Sequence, residues 1–347
     1  MTTAVKIPPA LLWAGASGSL LIVVGPGASA PSGLPGWSEL LRRLWAQART
    51  DVGDDPQRGR LLEAAAADGA EWFASEGDET DKLALLRSVM GAAGLRIQLG
   101  ELIRAARSSP TPTHRALADL PGATFATTTV DGLLEQALRA QAGGAPRVER
   151  GPGAEVPIGP GDLLELCGDA DHPETLALLG DDKERWKLLE TWERRLAGFT
   201  RPPWQVLLLG FTSRDPSLRD VGDALRGRIE ALRGGSPGDR PSPFWLAVDG
   251  PQAWARAGAA ELRQVLLESD DDVEPWLRAL GEAIARERSQ GPGIVLSLIS
   301  CADLALKRVA QDARQAEKAF RAQRWERALE LCIRILEQVE PRATAHP

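Results

Sequence analysis

A short apolar run followed by a glycine-rich turn constrains this chain more than any other feature. Leu20–Val24 contains no polar residue and ends at Gly25-Pro-Gly-Ala-Ser29. Five apolar residues bounded by glycine are typical of a strand buried on both faces. A helical pattern begins after Gly36, with a shared apolar face made by Trp37, Leu40, Leu41, Leu44 and Trp45. The pattern therefore predicts a strand, a glycine loop and a helix in succession.

Further apolar or β-rich runs at 123–129, 162–167, 205–210 and 244–248 alternate with amphipathic helical patterns. This alternation predicts an α/β fold, namely a Rossmann-like, mostly parallel sheet with helices on both faces. Residues 50–110 read as a helical insertion, and residues 141–161 as a loop rich in glycine and proline. Further helices are predicted at 183–199, after a cap at Thr113, and after the acidic start Asp270–Asp272.

Two domains are expected, with a first one at 1–290 and a helical tail at 294–347 after a Gly-Pro-Gly linker. The tail resembles one tetratricopeptide repeat in Phe320, Trp325, Leu329 and Pro341. A single repeat cannot bury its own apolar face, so we expect it to pack on the first domain, a second copy or a protein partner. A chain ending in one such unit would also fit a piece of a larger protein.

Composition excludes several classes of function. The formal net charge is −7, and no basic run exceeds two residues, which disfavours a nucleic-acid partner. The three cysteines and three histidines lie far apart, which argues against both a disulfide framework and a metal site. The apolar stretch at 11–24 is interrupted by glycine and serine, so no membrane span is expected and a cytoplasmic protein is predicted.

The glycine turn can be interpreted in two ways. A glycine loop before a helix presents backbone N–H groups to a phosphate, and the helix dipole favours the negative charge. Taken alone, Gly25-x-Gly27 is equally compatible with a plain structural turn.

Four further segments resolve this ambiguity, and they occur in a fixed order. They are Gly33-Leu-Pro-Gly-Trp37, Thr127-Thr-Thr-Val-Asp131, Leu164-Glu-Leu-Cys-Gly-Asp169 and Leu209-Gly-Phe-Thr-Ser-Arg-Asp-Pro216. In order and spacing, residues 18–285 resemble the bacterial sirtuin-like family, including domains found in anti-phage defence proteins.

The resemblance implies a cleft that binds NAD or an ADP-ribose-like nucleotide, without a metal. It places the pyrophosphate at Gly25, Gly27, Ala28 and Ser29, and the ribose or nicotinamide side at Pro35 and Trp37. It places the adenosine half at Gly210, Thr212 and Ser213. It also assigns Thr128 to the site and Asp131 to the carboxylate beside the nicotinamide pocket, although Asp131 could equally cap its helix.

The departures from the family pattern fall on its catalytic positions. Thr129 stands where the family has an Asn that orients the attacking water or ribose, and Val130 stands where it has a Tyr. Cys167 stands where it has the His that serves as general base. The loss of a general base costs roughly two to four orders of magnitude in rate. His172, five residues further on, is a candidate substitute, whereas a small buried residue is the plainer interpretation of Cys167. His114 matches a family position that packs in the core.

The sequence therefore favours a catalytically degenerate module that binds NAD or an ADP-ribose-type nucleotide as a sensor or structural subunit of a bacterial defence assembly. Two alternatives stay open: an active NAD⁺ hydrolase that recruits His172 or Cys167, and a nucleotide-free interaction scaffold that uses the C-terminal helices. A protein deacylase is the least favoured class, because the sequence lacks a zinc-binding cysteine set.

Overall fold

The computed structural model describes residues 7–51, 60, 79–107, 109–141, 145–151, 159–177, 190–192, 194, 196, 199, 204–211, 244–247 and 263–290. The chain divides into two compact units, Met1–Glu282 and Ala283–Pro347. The strands and nearly all of the helices given below belong to the first unit. The predicted helical tail at 294–347 lies outside the described residues and stays a prediction.

The described part of the chain alternates helices with strands. The helices are α1 (Pro9–Ser17), α2 (Trp37–Asp51), α3 (Glu79–Ala106), α4 (Pro112–Ala118), α5 (Leu133–Ala140) and α6 (Val273–Gln290). The strands are β1 (Leu20–Val24), β2 (Ala123–Thr127), β3 (Val148–Arg150), β4 (Leu163–Glu165), β5 (Gln205–Leu209), β6 (Phe244–Ala247) and β7 (Arg263–Leu266).

The seven strands form one sheet in the order β3-β4-β2-β1-β5-β6-β7. Every neighbouring pair is parallel. The predicted fold class, an α/β protein with a mostly parallel Rossmann-like sheet, is confirmed.

Strand β1 lies at the centre of this sheet, between β2 and β5. Its five side chains are all 0% exposed, which explains why its sequence is an uninterrupted apolar run. The side chains of Leu21 and Val23 belong to a core cluster on one face of the sheet. The other members of that cluster are Ala126, Leu164, Leu166, Trp192, Leu196, Phe199, Val206, Leu208 and Phe211.

The helical segment between β1 and β2 has its own apolar core. Helices α2 and α3 pack together, and α3 also contacts the segment after β4. The shared core consists of Leu40, Leu41, Leu44, Trp45, Ala48, Leu83, Leu86, Val89, Leu95, Leu99, Ile103, Ala170 and Leu176. This core fixes α3 against the part of the chain that leaves β4.

The structure corrects three local predictions. The cap of α4 is Thr111 and not Thr113, because Pro112 takes the first helical position and the Thr111 hydroxyl accepts the N–H of His114. The loop predicted at 141–161 contains the edge strand β3, and β7 was not predicted at all. Asp270–Asp272 form a 3-10 turn, and the α-helix begins only at Val273. The helix predicted at 183–199 lies mostly outside the described residues.

Within the described ranges, none of the helices combines the length and the apolar character that crossing a bilayer requires.

Candidate functional site

The strand order creates a crevice beside β1. The chain leaves β1 to build β2, β3 and β4 on one side, and then returns to build β5 on the other side of β1. From the carboxyl edge of the sheet, the chain after β1 therefore continues towards β2, and the chain after β5 continues in the opposite direction towards β6. In open parallel sheets, ligands bind at this point of reversal. The glycine loop after β1 and Gly210 after β5 meet there.

The glycines of these two loops are required by close backbone approach. A Cβ on Gly25 would lie 2.6 Å from the Phe211 ring, and one on Gly27 would lie 2.8 Å from the carbonyl oxygen of Gly210. Gly210 has a φ of 74°, and a Cβ there would lie 2.8 Å from the backbone nitrogen of Ala28. No side chain fits at any of these three positions without moving backbone atoms or the buried Phe211 ring.

The glycine loop was expected to offer free backbone N–H groups to a phosphate, but these groups are already hydrogen-bonded. Gly25 donates to the Leu209 carbonyl at 2.8 Å, and Gly27 donates to the Gly210 carbonyl at 2.7 Å. The N–H groups of Ala28 and Ser29 donate to carbonyls within the loop itself. The loop forms two short 3-10 turns, Pro26–Ala28 and Ala30–Ser32, before α2 begins. In this conformation the loop borders the crevice, and its four N–H groups are hydrogen-bonded within the protein.

Ser29 is held by a histidine that the sequence interpretation treated only as core. His114 is 0% exposed, and its Nε2 lies 3.3 Å from the Ser29 hydroxyl. The backbone N–H of Thr111 donates to Nδ1 at 3.2 Å, so the neutral ring carries its hydrogen on Nε2 and donates to Ser29. Burial lowers the pKa of His114 to about 4, against an opposing effect of Asp131. His114 is therefore neutral at pH 7, and it joins the glycine loop to the start of α4.

The segment after β2 contains Thr129, which the family resemblance places at the position of a catalytic asparagine. Thr127 donates to the Val24 carbonyl at 3.0 Å, and its hydroxyl lies 2.9 Å from that of Thr129. Because Thr127 uses its hydrogen on Val24, the Thr129 hydroxyl donates to Thr127 and keeps only acceptor capacity. Thr128 is also buried, and its N–H donates to the Val24 carbonyl at 3.1 Å. A carboxamide at position 129 would offer both a donor and an acceptor, so the threonine supplies half of that chemistry.

The N-cap of α5 is Gly132, which has no side-chain capping bond, and Asp131 lies one residue before it. Its carboxylate accepts the N–H of Leu133 at 2.8 Å, at the start of α5. The residue is 4% exposed, and its carbonyl accepts a hydrogen bond from Arg107 at 3.0 Å. Asp131 therefore lies at the carboxyl edge of the sheet with its side chain oriented by the helix.

Cys167 and His172 were considered as replacements for the family's catalytic histidine. They lie in different environments in the segment after β4. Cys167 is half-buried and packs against the core cluster of the sheet. The His172 side chain is 48% exposed, and its Nδ1 lies 3.6 Å from the Glu174 carboxylate. Backbone hydrogen bonds join His172 to Asp169 at 3.0 Å and to Thr175 at 2.8 Å, so a tight turn holds this histidine at the surface.

A buried charged cluster near this edge was not predicted from the sequence. One ligand oxygen from each of Glu135, Glu165 and Asp169 lies within 4.8 Å of the others, and all three residues are buried. The guanidinium of Arg150 is bound among them. It donates to Glu135, and its Nε lies 2.9 Å from Glu165 and 3.6 Å from Asp169. The angle of the Glu165 contact does not make a hydrogen bond, so Arg150 and Glu165 lie close together without one.

The protonation of this cluster follows from its charge balance. Burial, reinforced by the charge of Asp169, raises the pKa of Glu165 to about 9. Burial also raises the pKa of Asp169, whereas hydrogen bonds from Arg150 and Arg139 outweigh burial and lower that of Glu135. Glu165 therefore carries a proton at pH 7. The cluster has the oxygen ligands of a cation site, but Arg150 already provides the positive charge in it.

Three predicted site residues, Trp37, Thr212 and Ser213, are described in part or not at all, whereas Pro35 is described. Thr212 and Ser213 lie outside the described residues. Trp37 is the first residue of α2, but its side chain is not described. Pro35 is half-buried in the short segment that leads into this helix.

Comparison with known proteins finds a curated NAD(+) hydrolase and a solved Sir2 homolog that are similar to this chain. No protein-family model matches the chain. The curated NAD(+) hydrolase ThsA of Acinetobacter baumannii (strain 532279) is 27% identical over 219 residues. The match covers 60% of this chain and only 39% of that relative. A crystal structure of a Sir2 homolog–NAD complex has 16% identity, with 82% of this chain and 98% of that chain covered and a TM-score of 0.36.

Proposed function

We propose that this protein is a sirtuin-like module that binds NAD or an ADP-ribose-type nucleotide in the crevice beside β1. The observation that carries the proposal is the contact of two glycine loops at the reversal of strand order, where Gly27 and Gly210 approach too closely for any side chain. The curated relative is an NAD(+) hydrolase, which supports NAD as the nucleotide.

The proposed module hydrolyses its nucleotide slowly or not at all. Hydrolysis breaks the bond between nicotinamide and ribose, adds water to the ribose carbon, and releases nicotinamide, ADP-ribose and a proton. The attacking water needs a group that orients it and accepts its proton. The Thr129 hydroxyl is engaged with Thr127, and the position of the family's general base is occupied by Cys167. The substitutions that define this degeneracy come from the family resemblance.

A role as sensor or structural subunit of a bacterial defence assembly follows from the same resemblance and belongs to the proposal. Its partner would be a protein or a second copy that binds the C-terminal helices. A second candidate function, an NAD⁺ hydrolase, is favoured by the activity of the curated relative. A cytoplasmic location is part of the proposal.

The first experiment measures release and retention together. The purified protein is incubated with NAD, nicotinamide release is followed by chromatography, and bound nucleotide is identified by mass spectrometry after denaturation. We expect retention of NAD or ADP-ribose without release above the buffer blank. Steady release would establish the hydrolase instead, and neither release nor retention would leave the interaction scaffold.

A gain-of-function variant tests the degeneracy directly. The double substitution Thr129→Asn and Cys167→His restores the family residues at both positions. We expect it to raise NAD hydrolysis by at least about two orders of magnitude, since one general base contributes that much. The matched control is Ser88→Ala on the exposed surface of α3, where the hydroxyl donates to the Ala84 carbonyl within the same helix. A double variant with wild-type activity would contradict the assignment of these positions.

A binding variant tests the crevice without disturbing its backbone. Ser29→Ala removes the hydroxyl that His114 orients, and it adds no atoms to the loop. We expect the dissociation constant for NAD to rise by about tenfold to 150-fold, the range that corresponds to the roughly 1.5–3 kcal/mol of one lost hydrogen bond to a charged group. An unchanged constant in calorimetry would remove Ser29 from the site.

A further inference from the structure

Arg107 lies between the two segments that carry the degenerate catalytic positions. It follows directly after α3, and its N–H continues the helix by donating to the Ile103 carbonyl at 2.8 Å. Nη1 donates to the Asp131 carbonyl at 3.0 Å in the segment after β2. The same guanidinium donates to both carboxylate oxygens of Asp171, at 2.8 and 3.2 Å, in the segment after β4.

The two segments are packed closely around this guanidinium. Gly132 has a φ of 68°, and a Cβ there would lie 3.2 Å from Arg107 Nη1 and 3.2 Å from Asp169 Oδ1. The segments also share one backbone hydrogen bond, from Ala170 N–H to the Val130 carbonyl at 2.8 Å. Arg107 therefore adds side-chain bonds across a junction at which the described contacts are this backbone bond and the packing of Val130 against the core that contains Ala170.

The anchor of Arg107 is rigid. Ile103, one turn earlier in α3, is 3% exposed and belongs to the apolar core shared with α2. The Arg107 side chain is 17% exposed, so it is largely shielded from water, whereas Asp171 is 40% exposed. A planar guanidinium bonded on two sides fixes both position and orientation, which an ammonium group cannot do.

Two other arginines of α3 provide an internal comparison. The described hydrogen bonds of Arg96 and Arg104 go to the carbonyls of Leu176 and Ala170, both in the segment after β4. Arg107 bonds this segment and the segment after β2 as well. A substitution of Arg96 removes a contact to the segment after β4 alone, whereas a substitution of Arg107 removes contacts to both segments. The two variants can therefore be compared.

We propose that Arg107 is a positioning residue of the candidate site, which fixes Asp131 relative to the segment after β4 and thereby sets the preference for NAD over ADP-ribose. The inference rests on the proposed function and on the family resemblance, which assigns Asp131 to the carboxylate beside the nicotinamide pocket. ADP-ribose lacks nicotinamide, so its binding depends on the glycine loop and Gly210 and not on the position of Asp131. The helical segment between β1 and β2 thus controls one end of the site through a single side chain.

Hydrogen exchange tests the coupling without any nucleotide. In Arg107→Met, we expect backbone exchange to accelerate by about tenfold or more in both 128–134 and 168–176, because the variant keeps the size of the stem and loses every donor. In Arg96→Met, we expect acceleration in 168–176 alone. Unchanged exchange at 128–134 in the Arg107 variant, or equal effects of both variants on that segment, would overturn the inference.

Nucleotide titration then tests the preference itself. We expect Arg107→Met to raise the dissociation constant for NAD by about tenfold and that for ADP-ribose by less than about threefold, since displacement of one pocket group affects only the ligand part it contacts. Arg96→Met should leave the ratio of the two constants at the wild-type value. An equal rise for both nucleotides would show general loosening and would overturn the positioning role.

The milder substitution Arg107→Lys keeps the test valid if the methionine variant fails to fold. Lysine can donate to the Asp131 carbonyl but cannot form the two-oxygen contact with Asp171. We expect an intermediate ratio of the two dissociation constants, and a wild-type ratio would overturn the inference. If the wild-type protein binds neither nucleotide, the proposed function fails, whereas the exchange experiment still decides whether Arg107 couples the two segments.

Discussion

Gly27→Ala tests whether close backbone approach, and not chain flexibility, explains the glycine loop. The added Cβ would lie 2.8 Å from the Gly210 oxygen and 3.1 Å from the Gly210 carbonyl carbon. Ordinary contact begins at 3.4 Å, and both neighbours are backbone atoms at the end of a central strand, so neither can rotate away. Relief requires the loop to separate from Gly210, which also lengthens the 2.7 Å bond from the Gly27 N–H.

The expected destabilisation follows from these two effects. Overpacking against backbone costs about 1–3 kcal/mol, and a weakened hydrogen bond adds about 0.5–1.5 kcal/mol. We therefore expect Gly27→Ala to lower the free energy of unfolding by about 2–4 kcal/mol, measured by urea denaturation with circular dichroism.

A second glycine provides a matched control with the opposite sign. Gly94 lies within α3, and a Cβ there would lie 3.9 Å from the nearest atom, the Met90 Cβ. Gly94→Ala should raise the free energy of unfolding by about 0.5–1 kcal/mol through helix propensity. A Gly27→Ala protein within about 0.5 kcal/mol of wild type would refute the close-approach argument.

Two further predictions concern the dependence of stability on pH. Folded Glu165 holds its proton up to a pKa of about 9, whereas the unfolded residue loses it near its ordinary value of 4.5, so its stabilising contribution is lost as pH rises toward 9. Glu165→Gln should flatten the decline between pH 7 and 9, which cannot exceed about 1.4 kcal/mol per pH unit for one proton; an equally steep decline in the variant would contradict the assignment. Folded His114 stays neutral down to a pKa of about 4, whereas the unfolded residue gains a proton near 6.5, so stability is lost as pH falls through this range. His114→Asn should reduce that loss in acid denaturation curves, and an unchanged acid profile would show that other groups control it.

The sequence was most informative where one strand or one loop carries the signal by itself. Leu20–Val24 reads as a run of apolar residues because both faces of β1 are buried, and its bounds agree with the structure. The glycine loop was located correctly, but two of its N–H groups are engaged by the carbonyls of Leu209 and Gly210. A pattern that is local in sequence cannot report a partner so distant along the chain.

The features that the sequence did not predict arise from contacts between separate elements. Arg150 and Glu165 face each other only because β3 and β4 pair in one register, and Glu135 joins them from a helix. The edge strand that carries Arg150 has three half-buried residues, too few for a periodic signal. The bond between Ser29 and His114 likewise joins positions that are 85 residues apart.

The placement of β1 at the centre of the sheet has a consequence for biosynthesis. Leu20 pairs with Ala123 on one side and with Gln205 on the other. During translation this apolar strand must therefore wait for about 100 further residues to acquire its first neighbour, and for about 185 to acquire its second. Pairing over such separations is slow and leaves apolar edges exposed to aggregation. The nascent chain should accordingly depend on chaperone protection until β5 has left the ribosome, and the crevice beside β1 cannot form before that point.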